Sequence, residues 1–470
     1  MKNYERYITL SNTIIIIVVF FTIYNIFSNG LINSLINILI LFIFLSGVIN
    51  PFNFFISFTF LDNFISWYQF KWFDFFHPNM IVDSASIAQF NQLLILVLLI
   101  IVLIQRSQEK GFKQEPFLQT KLLWIFLFLL FVVFYISSTL SKNSSSSFSE
   151  LSRLLKFPIL SFIVLNTIDS MDRLKKYYIV LLIIAFLETL FALKDITDWE
   201  RSNATGYLVG NIPLIYVFYM SFRYKIRISK IIYVTFFIIL ILGAFVSASR
   251  RVLLACILYI FLLKILTDKK KSMLNIIKGF LIVTVIIFIS YKFIIPEFSK
   301  ERINYTLSPN NANQLMTGRE KLWRSAWILF KQSMYFGIGV NQSFYKTADT
   351  ARQLGYQIRY KYIRVHNTYL KIMVDTGMIG IFIYFIIILI GIYYLIKARN
   401  IFFDIPFYFY LTNAILAGWI IQHIIGFFGW SGIYGKTFWI NLGLILVLYN
   451  FSQQKDDIEL HDEKENLQIS

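Results

Sequence analysis

A chain of 470 residues that is 57% hydrophobic, 19% aromatic and only 15% charged carries more apolar surface than one water-facing core could bury. Its net charge of +18 comes from Lys and Arg residues that fall mainly between apolar runs, as membrane topology requires, which argues against nucleic-acid binding. The single cysteine, Cys256, excludes an intrachain disulfide framework and a thiolate metal cluster. We therefore expect a lipid bilayer, and no nucleic acid, around this chain.

Apolar runs long enough to cross a bilayer recur along the sequence. A spanning helix needs roughly 20 residues, and the runs here are apolar on all sides rather than along one stripe. The pattern predicts an all-α polytopic membrane protein of about 12 to 14 transmembrane helices. The predicted spans are 8–28, 31–50, 86–105, 121–140, 153–168, 176–194, 204–222, 231–248, 252–266, 277–295, 367–397, 405–425 and 436–451. The aromatic segment 51–68 either crosses as a further span or lies in the membrane interface.

The charge of the connections assigns a side of the membrane to each of them. Four basic connections belong in the cytoplasm by the positive-inside rule: 106–121, 222–230, 264–278 and 397–400. Alternation then places 141–150, 194–204, residues 249–251 and 296–366 on the outer face. The Ser-rich residues 144–147 are interpreted as a flexible outer linker. The acidic tail 453–470 is predicted to lie inside.

The connection 296–366 is the one sizeable extracytoplasmic loop of this topology. Within it, Arg319, Trp323, Ala326 and Phe330 recur at helical spacing and share one face. An interfacial helix would favour an apolar residue where Arg319 stands. Arg319 therefore either stacks on Trp323 and reaches the headgroups, or binds an anionic substrate.

Two further features of this region carry candidate site residues. Gly337 and Gly339 permit a tight turn or a close backbone approach to a ligand. His366, with Asn367 beside it, is predicted to lie at the outer end of a span. An imidazole there either exchanges a proton with a substrate or is simply hydrogen-bonded at the membrane interface. Asp375 comes nine residues after His366, about half a turn away around the helix, so it should not lie beside His366, and we expect it to pair with another helix.

Arg250 and Arg251 open a span on the side that positive-inside logic disfavours, and Arg201 adds a third outer arginine. They either hold the helix end at lipid phosphate or bind a substrate diphosphate, since a guanidinium offers paired donors to phosphate oxygens. The outer loops contain no acidic DxD pair, and no HExxH, Walker or GxSxG motif occurs. We expect no metal and no cofactor, so arginines would neutralise an anionic leaving group.

The order of these segments resembles the O-antigen ligase and Wzy-type polysaccharide polymerase superfamily. The resemblance rests on four stretches: Arg201 to Gly206; Ser249-Arg250; Arg319, Trp323, Ala326 and Phe330 followed by Gly337 and Gly339; and His366-Asn367 with Leu370, Asp375, Gly377 and Gly380. It implies a C-type glycosyltransferase-like fold in a bacterial inner membrane, with the active site on the extracytoplasmic face. The implied donor is a glycan on undecaprenyl diphosphate, and the implied acceptor is a hydroxyl of a glycan or glycolipid.

The resemblance also implies residue roles. Arg250 and Arg319 would bind the diphosphate, and His366 would activate the acceptor hydroxyl. Arg201, Arg251, Asn367, Trp323, Gly337 and Gly339 complete the predicted substrate-binding set.

Residues 1–195 are predicted to form an N-terminal transmembrane bundle and 196–452 the catalytic membrane region. A polymerase and a ligase both fit the sequence. A transporter or flippase of lipid-linked or anionic solutes is the alternative. A transporter, however, would be expected to hold its charges near mid-membrane, often on broken helices in two related halves, whereas here the arginines cluster outside and no repeat is visible.

Overall fold

The computed structural model describes residues 51–53, 55–59, 95–96, 98–103, 115–197, 211–222, 231, 234–236, 238–239, 250–267, 319–359, 361–429 and 432–454. Throughout these ranges the regular secondary structure is helical, and no strand occurs in them. The longer helices are α1 (Glu115–Leu140), α2 (Ser144–Thr167), α3 (Met171–Thr197), α4 (Ile212–Phe222), α5 (Arg250–Thr267), α6 (Arg319–Gln332), α7 (Gln342–Gln353), α8 (Thr368–Ile401), α9 (Pro406–Ile425) and α10 (Lys436–Gln453). Short 3₁₀ turns follow α8 and α9 and precede α10, at Phe402–Asp404, Gly426–Phe428 and Gly432–Tyr434.

Three stretches among the described residues are long and apolar enough to cross a membrane. They are Thr120–Leu140, Thr368–Asp404 and Pro406–Phe428, with mean hydropathy of 2.4, 2.7 and 1.5. Large apolar side chains on them point outward, since Phe128 is 68% and Phe382 66% exposed. Such a surface fits lipid better than water. The predicted class, a helical membrane protein with several spans, is confirmed.

The total of about 12 to 14 spans stays a prediction. The predicted spans 8–28, 31–50 and 277–295 lie outside the described residues, as do most of 86–105 and 231–248. Residues 51–53 and 55–59 are helical, as either interpretation of the segment 51–68 requires.

The chain divides into two compact units. The first, 1–112 with 166–180, contains Tyr177 stacked on Phe55 at 5.0 Å between ring centroids. In the same unit Arg173 bonds to Asp169 at 2.8 Å and lies over the Phe52 ring. The second unit, 113–165 with 181–470, contains the residues discussed below.

Helix α8 lies at the centre of the second unit, in contact with α1, α6, α9 and α10. Arg399, near its end, donates from Nη2 to the Leu266 carbonyl at the end of α5 at 2.8 Å. Lys397 donates to the Tyr449 hydroxyl of α10 at 3.4 Å. The basic segments predicted to face the cytoplasm, 264–278 and 397–400, therefore meet at one end of the unit.

The opposite end joins two segments that were both predicted to lie outside. The Asn143 amide donates to Gln342 Oε1 at 3.5 Å, which links the connection between α1 and α2 to the start of α7. Segments predicted to share a side thus meet in the structure. Which side is extracytoplasmic stays a prediction.

The interpretation of residues 144–147 as a flexible linker is wrong. Helix α2 begins at Ser144, and Ser147 is fully buried. The Ser147 hydroxyl donates to Ser138 Oγ at 3.0 Å and lies 3.4 Å from the Val340 carbonyl. Small hydroxyl side chains suit this junction because they fill little space and satisfy buried polar atoms.

Candidate functional site

Helix α8 is broken near its N-terminal end. Gly377 has φ 71° and ψ −167°, a conformation essentially restricted to glycine. The break frees backbone groups that must find other partners in an apolar environment. The segment 334–339 supplies them in four hydrogen bonds: Ile338 N to Val374 O (2.9 Å), Gly339 N to Asp375 O (3.3 Å), Met378 N to Met334 O (2.7 Å) and Ile379 N to Tyr335 O (3.3 Å). The single span predicted at 367–397 is therefore two helical pieces joined through a loop of the same chain.

Three glycines allow this close contact. A Cβ on Gly337 would lie 2.4 Å from the Asp375 carbonyl carbon, and one on Gly377 would lie 2.2 Å from the Tyr335 carbonyl. A Cβ on Gly339 would lie 2.5 Å from Ser141 Oγ. Gly337 and Gly339 thus allow close packing within the protein. The predicted backbone approach to a ligand stays a prediction.

Asp375 is fully buried beside the break and accepts hydrogen bonds from several elements. Its Oδ1 accepts from Ser343 N at 3.0 Å, and its Oδ2 accepts from Tyr434 Oη at 2.7 Å and from Lys371 Nζ at 3.0 Å. Its backbone carbonyl accepts from Ser137 Oγ at 2.5 Å. The predicted partner from another element exists in Tyr434, whereas the charge partner, Lys371, lies on the same helix.

Lys371 completes this buried cluster. Its ammonium also donates to Asn341 Oδ1 at 2.6 Å and lies 3.9 Å from the centroid of the Tyr434 ring. Burial first, and the Asp375 carboxylate second, hold the pKa of Tyr434 well above its usual range, so the phenol stays protonated and donates. Lys371 and Tyr434 were missed in the sequence. The available signal was a lysine four residues before Asp375 in an otherwise apolar run.

His366 precedes the first turn of α8 in the left-handed conformation, with φ 55° and a half-buried side chain. Asn367 is the N-cap, and its Oδ1 accepts from Leu370 N at 3.0 Å. On the other side of His366, Trp323 Nε1 donates to the Val365 carbonyl at 3.1 Å. The backbone of His366 is therefore held from both sides.

Helix α6 brings Arg319 to the same region. Its apolar face packs on α8 and the preceding loop through a buried cluster of Ala326, Leu329, Phe330, Ile338, Val365 and Val374. Arg319, at the first position of α6, donates from Nη1 to the Phe428 carbonyl at 2.9 Å, just beyond the end of α9. Trp323 lies one turn after Arg319, so Arg319 and His366 occupy the same end of the second unit.

Helix α5 begins at Arg250, as the predicted span 252–266 requires. Its other end is bonded to Arg399 of α8, and its 18 residues extend about 27 Å. The backbone of Arg250 therefore lies at the end of α5 that is distant from Arg399. The side chains of Arg250 and Arg251, and the whole of Arg201, lie outside the described residues.

Basic groups also meet beside the start of α7. Desolvation, and then the neighbouring charge of Lys142, lower the pKa of Lys346. Burial, and then the carboxylate of Glu150, raise the pKa of Tyr345. Charges of both signs, from Lys142 and from Glu150, thus act at the start of α7.

The broken helix, the apolar outward surface and the polar residues gathered at one end define an integral membrane protein with a candidate site at a membrane face. Residues 210–385 match the family model described as O-antigen ligase. This region therefore carries the domain of the O-antigen ligase family, as its motifs predicted. The matched residues include Arg250, Arg319 and His366, whereas Arg201 precedes them. A comparison with curated proteins finds no match.

The matched domain indicates a membrane enzyme of the O-antigen ligase or polymerase type. Within the described residues, no group of three His, Cys, Asp or Glu side chains is placed to hold a metal ion.

Proposed function

We propose that the protein transfers a glycan from undecaprenyl diphosphate to a sugar hydroxyl at the extracytoplasmic face of a bacterial inner membrane. The observation that carries this proposal is the Trp323 to Val365 hydrogen bond. It fixes the helix of Arg319 beside the residue that precedes His366. An arginine and a histidine at one end of the unit suit a reaction with an anionic leaving group and a proton to be removed.

In the proposed reaction the acceptor oxygen attacks the anomeric carbon of the donor sugar. Its proton passes to the His366 imidazole, and the bond from the anomeric carbon to the diphosphate oxygen breaks with its electron pair on that oxygen. Arg319 and Arg250 stabilise the departing diphosphate in place of a metal ion. Attack opposite the leaving group inverts the anomeric configuration.

The other predicted substrate-binding residues have supporting roles in this proposal. Arg201 and Arg251 add positive charge for the diphosphate. Trp323 and Asn367 hold the backbone on either side of His366. Gly337 and Gly339 let residues 334–339 contact the break in α8. This contact positions the backbone that borders the proposed site.

The alternative of a transporter or flippase has one observation in its favour, because transporters often bind substrates at broken helices. In α8, however, four backbone groups at the break are bonded to residues 334–339. The buried charges Lys371 and Asp375 are bonded to each other. Groups already satisfied by the protein are poor ligands for a transported solute, so we favour group transfer.

The test is transfer in liposomes that contain the purified protein, a glycan on undecaprenyl diphosphate and a defined acceptor. His366→Ala should lower the rate by roughly 10²- to 10⁴-fold, the usual contribution of a general base. His461→Ala, in the C-terminal tail, is the matched control and should retain the wild-type rate. Products of repeating length would identify a polymerase, and single additions would identify a ligase. Movement of donor across the bilayer without any product would favour the flippase.

A further inference from the structure

The side chains of the buried pair Lys371 and Asp375 bond α8 to three other parts of the second unit. The Asp375 carboxylate accepts from Ser343 of α7. It also accepts from Tyr434, in the connection before α10. Lys371 donates to Asn341 in the turn before α7. Both residues lie among the first eight residues of α8, the helix that begins two residues after His366.

A buried ion pair is a poor source of stability. Removing two charges from water costs about as much as their attraction returns, so apolar residues of equal size often serve stability as well. A buried pair does restrict the geometry, because each donor and acceptor must face its partner to offset the lost hydration. The Lys371 and Asp375 pair is therefore better suited to fix positions than to add stability.

Two non-glycine residues in this region adopt the left-handed conformation. Asn341 has φ 57° and His366 has φ 55°. Such residues keep this conformation only where the surroundings enforce it. Lys371 bonds to Asn341 through its side chain, and it lies in the first turn of α8, the helix that follows His366.

We propose that Lys371 and Asp375 are positioning residues for the reaction, and that they act by holding the first turn of α8, and with it the His366 imidazole, in the orientation that transfer requires. This inference rests on the proposed function. Neither residue contacts the substrate in this account. Their removal should lower kcat and leave the KM values of donor and acceptor unchanged, because small misplacements of a catalytic group slow the chemical step.

The test compares three variants with the wild type in the liposome assay. The double variant K371M/D375N removes both charges and leaves no unpaired charge, while the amide introduced in place of the Asp375 carboxylate can still bond to Ser343 and Tyr434. We expect its kcat to fall about 10- to 100-fold, as a displacement on the order of 1 Å would cause. Lys371→Arg, which can still pair with Asp375, should restore most of the rate.

Lys397→Met is the matched control. Lys397 lies on the same helix and contacts the ring and hydroxyl of a tyrosine, Tyr449, at the opposite end. This variant should keep the wild-type kcat. A merely structural role of the buried pair would reduce the amount of folded protein and leave the kcat of the folded fraction intact, so kcat is normalised to folded protein measured by gel filtration.

A double variant with wild-type kcat, or one that raises KM alone, overturns the inference. If the double variant does not accumulate in the membrane, Tyr434→Phe, which removes a donor to Asp375 and leaves no charge unpaired, decides instead, and an unchanged kcat in that variant has the same meaning. The outcome is separable from failure of the proposed function. A wild type that makes no product refutes the transfer reaction itself, whereas an active wild type with an equally active double variant refutes only the positioning role.

Discussion

Replacing Gly377 by alanine tests the broken helix directly. The added Cβ would lie 2.2 Å from the Tyr335 carbonyl carbon and oxygen, and backbone atoms cannot swing aside as a flexible side chain can. Holding alanine at φ 71°, ψ −167° costs about 1–3 kcal/mol, and the steric overlap adds about 1–3 kcal/mol. The sum, about 2–6 kcal/mol, is a large part of the 5–15 kcal/mol typical of protein stability.

The assay is thermal unfolding in detergent followed by tryptophan fluorescence. Gly355→Ala is the matched control, because Gly355 also has a positive φ, 79°, but a Cβ there would meet nothing within 4 Å. We expect Gly355→Ala to unfold slightly below the wild type and Gly377→Ala to unfold well below both. Equal unfolding temperatures for the two variants would refute the close pairing of α8 with residues 334–339.

Three other perturbations probe separate parts of the account. Trp323→Phe keeps an aromatic ring but loses the hydrogen bond to the Val365 carbonyl. It should lower the free energy of unfolding by about 1 kcal/mol and also lower kcat in the transfer assay. An unchanged transfer rate would show that this bond does not hold His366. Ser137→Ala removes one of two donors to the Asp375 carbonyl and should lower the free energy of unfolding by about 1 kcal/mol. An unchanged free energy of unfolding would show that the Gly339 N–H alone satisfies this carbonyl. Incubation with EDTA should leave the transfer rate unchanged, and inactivation restored by a divalent cation would contradict the role given to the arginines.

Much of the helical architecture could be predicted from composition and periodicity. Apolar runs predicted spans at 121–140, 405–425 and 436–451, and the structure places helices there with ends that differ by at most six residues. Loop charge grouped 264–278 with 397–400 and 141–150 with 296–366, and described residues of each pair of segments are bonded to each other. These features depend on local hydrophobicity and on charge, which a sequence displays directly.

The break in α8 could not be predicted in the same way. Gly377 lies in a run that is apolar and continuous, and its conformation depends on pairing with residues some 40 positions earlier. The prediction of a flexible linker at residues 144–147 was wrong for a similar reason. Serines are common in flexible linkers, but they also fit a tight junction such as the one against Gly339. Contacts distant in sequence decide both cases.

The candidate site was predicted in part. Arg319, Trp323 and His366 were chosen from spacing and topology, and the structure brings their elements together. Lys371 was overlooked because a lysine near the end of a span ordinarily extends to the interface, whereas this one turns inward to Asp375. The direction of a long side chain follows from tertiary packing and is not visible in the sequence.

His366 is proposed to take the proton of the acceptor hydroxyl during glycan transfer from a lipid diphosphate. This role is tested most directly by the single-turnover rate of transfer by wild type and His366→Ala in liposomes loaded with donor and acceptor. We expect product with the wild type and a loss of roughly 10²-fold or more with the variant, at equal amounts of inserted protein. Full transfer by His366→Ala would exclude the role.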